Sequence, residues 1–173
     1  METPLEQILT GHHKADLVRF LKVHPGAFEE TLKLALYGMK TFSWRAAWLL
    51  WSCIEKNDER VLPYITEMIG MLPNLDSSRQ REFLKILQVM EISEASEGKL
   101  FDECMNVWEQ TGKQPSVRFN ALKLMVRIAK KHPELIHEIE LITQDHYLES
   151  LSDGVKRSVS KLLKGVKKGT PSV

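Results

Sequence analysis

The residues of this chain best suited to chemistry are its six histidines, two cysteines and 24 lysines and arginines. Their spacing decides what they can do. His12 and His13 are adjacent, so they point to different sides of a helix start. His132 and His137 are five apart, whereas a pair of metal ligands on one helical face is placed four apart, as in HExxH. His137-Glu138 does not belong to such a motif. No Gly-rich phosphate loop, GxSxG elbow or CxxC pair occurs. Cys53 and Cys104 each lie inside an apolar helical run. The sequence therefore suggests no metal site, no cofactor and no catalytic set, and the expected protein is not an enzyme.

The cations are more suggestive. Asn120, Lys123, Arg127 and Lys130 fall at i, i+3, i+7 and i+10 on one helical stripe. Arg157, Lys161, Lys164 and Lys168 form a second stripe, and Arg81, Lys85 and Gln88 a third. Charge is distributed unevenly: residues 1–112 carry 12 Lys and Arg against 17 Asp and Glu, and residues 113–173 carry 12 against six. From Lys156 to Lys168 there are six basic residues and no acidic one. If the three stripes lie on stacked helices, about 10 Å apart, they form a basic band. Such a band attracts phosphate or an acidic protein surface by field focusing and counterion release. The plainer alternative is that the lysines solubilise the outer faces of their helices. Trp44, Trp48 and Trp51 fall at i, i+4 and i+7. Trp44 and Trp51 are read as core, while Trp48 occupies the gap in a polar stripe of Arg45, Ser52 and Glu55 and is read as a partner contact, able to stack a base or anchor a peptide.

The elements that must position these residues recur. Phe20-Leu-Lys-Val-His-Pro25 is echoed by Ile128-Ala-Lys-Lys-His-Pro133, and the two prolines lie 108 positions apart, three units of 36. In each, a helical run ends in a basic residue and His-Pro, and a new run begins. A helix–turn–helix repeating every 20–50 residues defines an α-solenoid. Apolar positions follow i, i+3, i+4, i+7 throughout, and no stretch alternates with period two for long enough to suggest a strand. Short leading helices are expected over 4–10 and 13–23. Helix pairs follow at 26–39 and 43–56, 59–72 and 77–91, 96–111 and 116–131, and 133–143 and 153–167. The linkers centre on Pro25, Asp58, Glu94 and Pro133, at spacings of 33, 36 and 39.

A basic residue opens the second helix of each pair: Arg45, Arg81 (or Arg79), Arg118 and Lys156. Val or a small residue followed by Arg before an apolar second helix, clearest in Ser116-Val-Arg-Phe-Asn-Ala-Leu-Lys-Leu124, resembles the HEAT repeat within the wider HEAT/armadillo-like class. The Asp that commonly precedes the Arg is absent before Arg45 and Arg118. The resemblance implies an all-α, right-handed α-α superhelix, a HEAT-like solenoid of about four helix pairs plus an N-terminal half-repeat. On this reading residues 1–173 form a single domain, with units near 26–57, 58–93, 94–132 and 133–168 and a disordered tail at 169–173. It implies a non-catalytic scaffold whose second helices line a concave surface holding a protein or peptide, through Trp48, Arg81, Lys85, Lys123, Arg127, Lys130, Arg157, Lys161 and Lys164.

The alternative partner is nucleic acid, bound along its backbone by the basic band. HEAT-like DNA glycosylases lie further off, since no acidic residue flanked by aromatics stands in the band. Unpaired cysteines, and the lack of a signal segment at Met1–Gln7, suggest a cytoplasmic protein. The longest apolar run, Ala46 to Trp51, is far short of the roughly 20 residues that span a bilayer. A membrane-surface role for the last helix ranks last, because its Val155, Val159, Leu162, Leu163 and Val166 suit docking onto the final repeat.

Overall fold

The computed structural model describes residues 4–167. Lys168 and the tail expected at 169–173 lie outside the described residues. Within them the protein is all-α, with no strand. Eleven helices run in order: α1 (Pro4–Gly11), α2 (Lys14–Val23), α3 (Pro25–Tyr37), α4 (Lys40–Cys53), α5 (Ile65–Met71), α6 (Ser77–Val89), α7 (Glu94–Glu109), α8 (Pro115–Ala129), α9 (Ile136–Ile142), α10 (Asp145–Leu148) and α11 (Asp153–Lys167). The expected helix pairs are present, and the chain divides into two compact units, Met1–Glu91 and Ile92–Val173.

In the first unit, Phe28, Leu32 and Leu36 recur every fourth residue of α3 and are all buried, the i, i+4 stripe of a core-facing helix. Only Gly38 and Met39 separate α3 from α4, and the two helices pack together as a hairpin. Helix α4 receives α1 and α2 as well as α6, which explains its nearly all-round apolar sequence. The helix expected over 59–72 is shorter than its pattern. It is reduced to α5, with 3-10 turns at Leu62–Tyr64 and Leu72–Asn74. Pro63 and Pro73 sit in those turns; each lacks an N–H, so neither can donate to the α-helical ladder at its position, which favours the tighter turn. Asp76 caps α6, its carboxylate accepting from the N–H groups of Ser78 and Arg79 at 3.1 Å, a contact worth about 1 kcal/mol. The turn between repeats is built at Asn57, whose φ of 56° is left-handed and tolerable to Asn. The buried Asp58 carboxylate then ties the turn down through Arg60, at 2.7 and 2.9 Å.

In the second unit α7 and α8 form the equivalent hairpin, and α8 also packs against α9 and α11. Val117, Ala121, Leu122, Leu124, Met125, Ile128 and Ala129 are all buried, as a helix enclosed on most sides requires. The expected helix at 133–143 opens as a 3-10 turn, Pro133–Leu135, before α9.

The two His-Pro junctions adopt one backbone conformation. His24 has φ −124° and ψ 80°, and His132 has φ −124° and ψ 79°. Each donates its backbone N–H to the carbonyl four residues earlier, Phe20 and Ile128. The sequence echo is thus a structural echo. The side chains diverge: His24 stacks on Phe20, with ring centroids 4.4 Å apart, whereas His132 reaches Glu97.

Candidate partner-binding surface

The residues that open the second helices do not share one role. Arg118 is fully buried. It donates Nε to the Trp108 carbonyl at 2.7 Å, one terminal nitrogen to Ser150 Oγ at 2.9 Å and the other to the Tyr147 carbonyl at 2.7 Å. Its guanidinium lies 4.6 Å from the Trp108 ring centroid. Burial lowers its pKa from the ordinary guanidinium value. The resemblance calls for an Asp partner, and here helix-terminal carbonyls take that place. In the first unit it is Arg79, not Arg81, that works this way, donating to the Ala35 and Leu36 carbonyls at the end of α3. Arg45 instead lies beside Trp44, 5.7 Å from its ring. Lys156 lines a groove described below.

The basic stripes fare unequally. On α6, Glu82 is 1% exposed and stands between Arg81, at 3.1 Å, and Lys85, at 2.5 Å. These two cations are already committed to an internal carboxylate. On α8, Lys123 and Arg127, expected to hold a partner, are both half-buried. Lys123 lies 4.7 Å from the Phe119 ring, and burial lowers the pKa of Arg127. Enclosure of α8 by its neighbours is the cause. Lys130 at the end of α8 is exposed. The next residue, Lys131, pairs at 2.5 Å with the buried Glu97, which also binds His132 Nε2 at 2.7 Å. Burial pushes the Glu97 carboxyl up, but these two hydrogen bonds outweigh it and hold the group below the usual carboxylate value. Glu82 and Glu97 were missed in the sequence because each reads as one more charge on a solvated face.

Helix α11 is different. Arg157, Lys161 and Lys164 are exposed, and none of them forms an ion pair among the described residues. Its opposite side is apolar, with Val159 and Val166 buried.

The three tryptophans of α4 correct the expectation that two are core and one exposed. Trp44, Trp48 and Trp51 are all half-buried, and each has a cation near its ring: Arg45 at 5.7 Å, Lys14 at 5.5 Å and Lys85 at 5.1 Å. The aromatic surface of α4 is shared with basic side chains and not hidden beneath helices. Trp108 is the fully buried one, its indole N–H donating to the Ile142 carbonyl.

Beside α11 lies an open groove of about 650 Å³, floored by Ile136 and Ile139 of α9, Leu148 of α10 and Val159, Leu163 and Val166 of α11. Lys156, Lys164 and Glu140 line it as well. Among the described residues no group of three or more His, Cys, Asp and Glu side chains could hold a metal ion. No helix there is long and apolar enough to cross a membrane.

A family model, the HEAT repeat domain, matches residues 1–166. That span covers every helix pair described above, and the chain belongs to the HEAT repeat family. No curated protein and no solved structure matches it. Membership of this family suggests a module of the protein-interaction type.

Proposed function

We propose that this HEAT protein is a non-catalytic binding module that holds an acidic protein or peptide on the basic face of α11. The single observation that carries the reading is the contrast in the cations. Arg81 and Lys85 are occupied by Glu82 and Lys131 by Glu97, while Arg157, Lys161 and Lys164 stand exposed on one helix with no ion pair among the described residues. A like-signed, solvent-facing row raises the local concentration of an anionic partner and speeds its encounter. In the first unit the proposal gives Trp48 a separate role as an apolar anchor, since its indole is only half-covered. The site is a cytoplasmic one on this reading, and it needs no cofactor.

Affinity purification of the tagged protein, with and without nuclease, tests this. The expected result is acidic protein retained after nuclease and released by moderate salt. Capture of nucleic acid, with affinity falling by orders of magnitude between low and moderate salt as phosphate contacts require, would overturn it in favour of a nucleic-acid ligand.

A further inference from the structure

The groove beside α11 is chemically asymmetric. One wall and the floor are aliphatic, formed by Ile136, Ile139, Leu148, Val159, Leu163 and Val166. Lys156 and Lys164 line the same groove, and neither has an ion-pair partner among the described residues. Its volume of about 650 Å³ falls within the range of roughly 300–1,000 Å³ typical of binding clefts. Lys156 and Lys164 are eight residues apart on α11, which places their Cα atoms roughly 12 Å apart along the helix axis. Leu163 and Val159 lie between them in sequence.

From this we infer that the groove is the seat of an amphipathic acidic helix. Its aliphatic side chains enter between α9 and α11, and two of its carboxylates, about two turns apart, meet Lys156 and Lys164. Charge complementarity chooses the occupant. A neutral aliphatic segment would leave both ammonium groups at its edge without partners. An acidic helix with Glu at i and i+7 around Leu at i+3 and i+4 satisfies floor and lysines together, the usual anchor spacing of helix-in-groove recognition. The inference rests on the reading of α11 as the partner-binding face and adds the chemistry of the partner.

The test is a methyl-resolved NMR titration of the full chain with a synthetic Glu/Leu helix of that spacing. Signals of Ile136, Ile139, Val159 and Leu163 are expected to shift together and saturate. Ser160, exposed on the groove wall, is the place to plug it: Ser160→Trp fills space without opening the core and should weaken binding about tenfold or more. Lys156→Glu with Lys164→Glu should weaken it about tenfold. The inference is overturned if the groove methyls stay still while the peptide binds, or if the Ser160→Trp protein binds as tightly as the parent. It is also overturned if decanoate moves these methyls and the peptide does not. Loss of peptide binding on Arg157→Glu with Lys161→Glu, with full binding by Ser160→Trp, would leave the α11 face standing and remove the groove. Failure of the peptide to bind at all would remove the groove, while the α11 face stands or falls by the affinity purification.

Discussion

Arg118 stacks on Trp108 and donates to the carbonyl of that same residue, so one side chain closes the end of α7 and fixes its indole. Trp108 in turn donates its indole N–H to Ile142, and Arg118 reaches Tyr147 and Ser150. A buried cation is costly unless its donors are met, and here three hydrogen bonds and the Trp108 ring meet that condition.

Truncating this cation should therefore be among the most damaging single changes in the second unit. Arg118→Met keeps the stem and leaves the Trp108 and Tyr147 carbonyls without their donor, an expected loss of about 2–4 kcal/mol. Arg118→Lys keeps the charge but lacks the planar fork, and it should recover only part of the loss. Urea unfolding followed by circular dichroism measures both; a near-neutral Arg118→Met would show that the network contributes little.

Glu82 is the residue that withholds Arg81 and Lys85 from any partner. Glu82→Gln should free both cations and make elution from heparin later in salt. The log-affinity against log-salt slope should steepen by about one to two contacts, with about 1–3 kcal/mol lost in stability. Glu91→Gln, at an exposed position, changes net charge equally and should shift elution far less. Equal shifts in the two proteins would mean that net charge alone governs the behaviour.

Acid should loosen the tie between α7 and the end of α8. The Glu97 carboxyl is held below its ordinary value in the folded protein, so its contribution is fully present above the unfolded value, about 4.3. That contribution is lost as pH falls through the lower, folded value. Urea midpoints should decline on acidification below about pH 5. Glu97→Gln should cost about 1.5–3 kcal/mol at neutral pH and flatten part of that decline. An unchanged acid limb in the variant would assign the pH dependence to other carboxylates, Asp58 foremost, which Arg60 also holds low.

Much of the architecture was legible because it rests on local rules. Apolar periodicity and the proline positions placed α3, α4, α6, α7, α8 and α11 within a few residues of where they lie, and the His-Pro echo marked two junctions with one geometry. Pro63 and Pro73 shortened α5 because a proline inside a repeat pattern acts on the backbone before periodicity can. The binding surface was less legible. A stripe of lysines reads alike whether its members face water or a buried acid, and the partners of Glu97 lie 34 and 35 residues away in sequence. Arg79 and Arg81 were likewise interchangeable by spacing, and only the reach of Arg79 to the α3 carbonyls separates them. The basic row proposed here as the binding face was visible in sequence as six basic residues from Lys156 to Lys168 with no acid among them.

The most direct measurement compares the tagged wild-type chain with Arg157→Glu/Lys161→Glu in nuclease-treated affinity purification, with folding of both checked by circular dichroism. These two side chains are exposed and pair with no acid among the described residues, so the variant should fold as the parent does. The account predicts a defined acidic protein retained by the wild type and lost by the variant. Retention of the same proteins by both would contradict it, because the basic face of α11 would then not be what holds the partner.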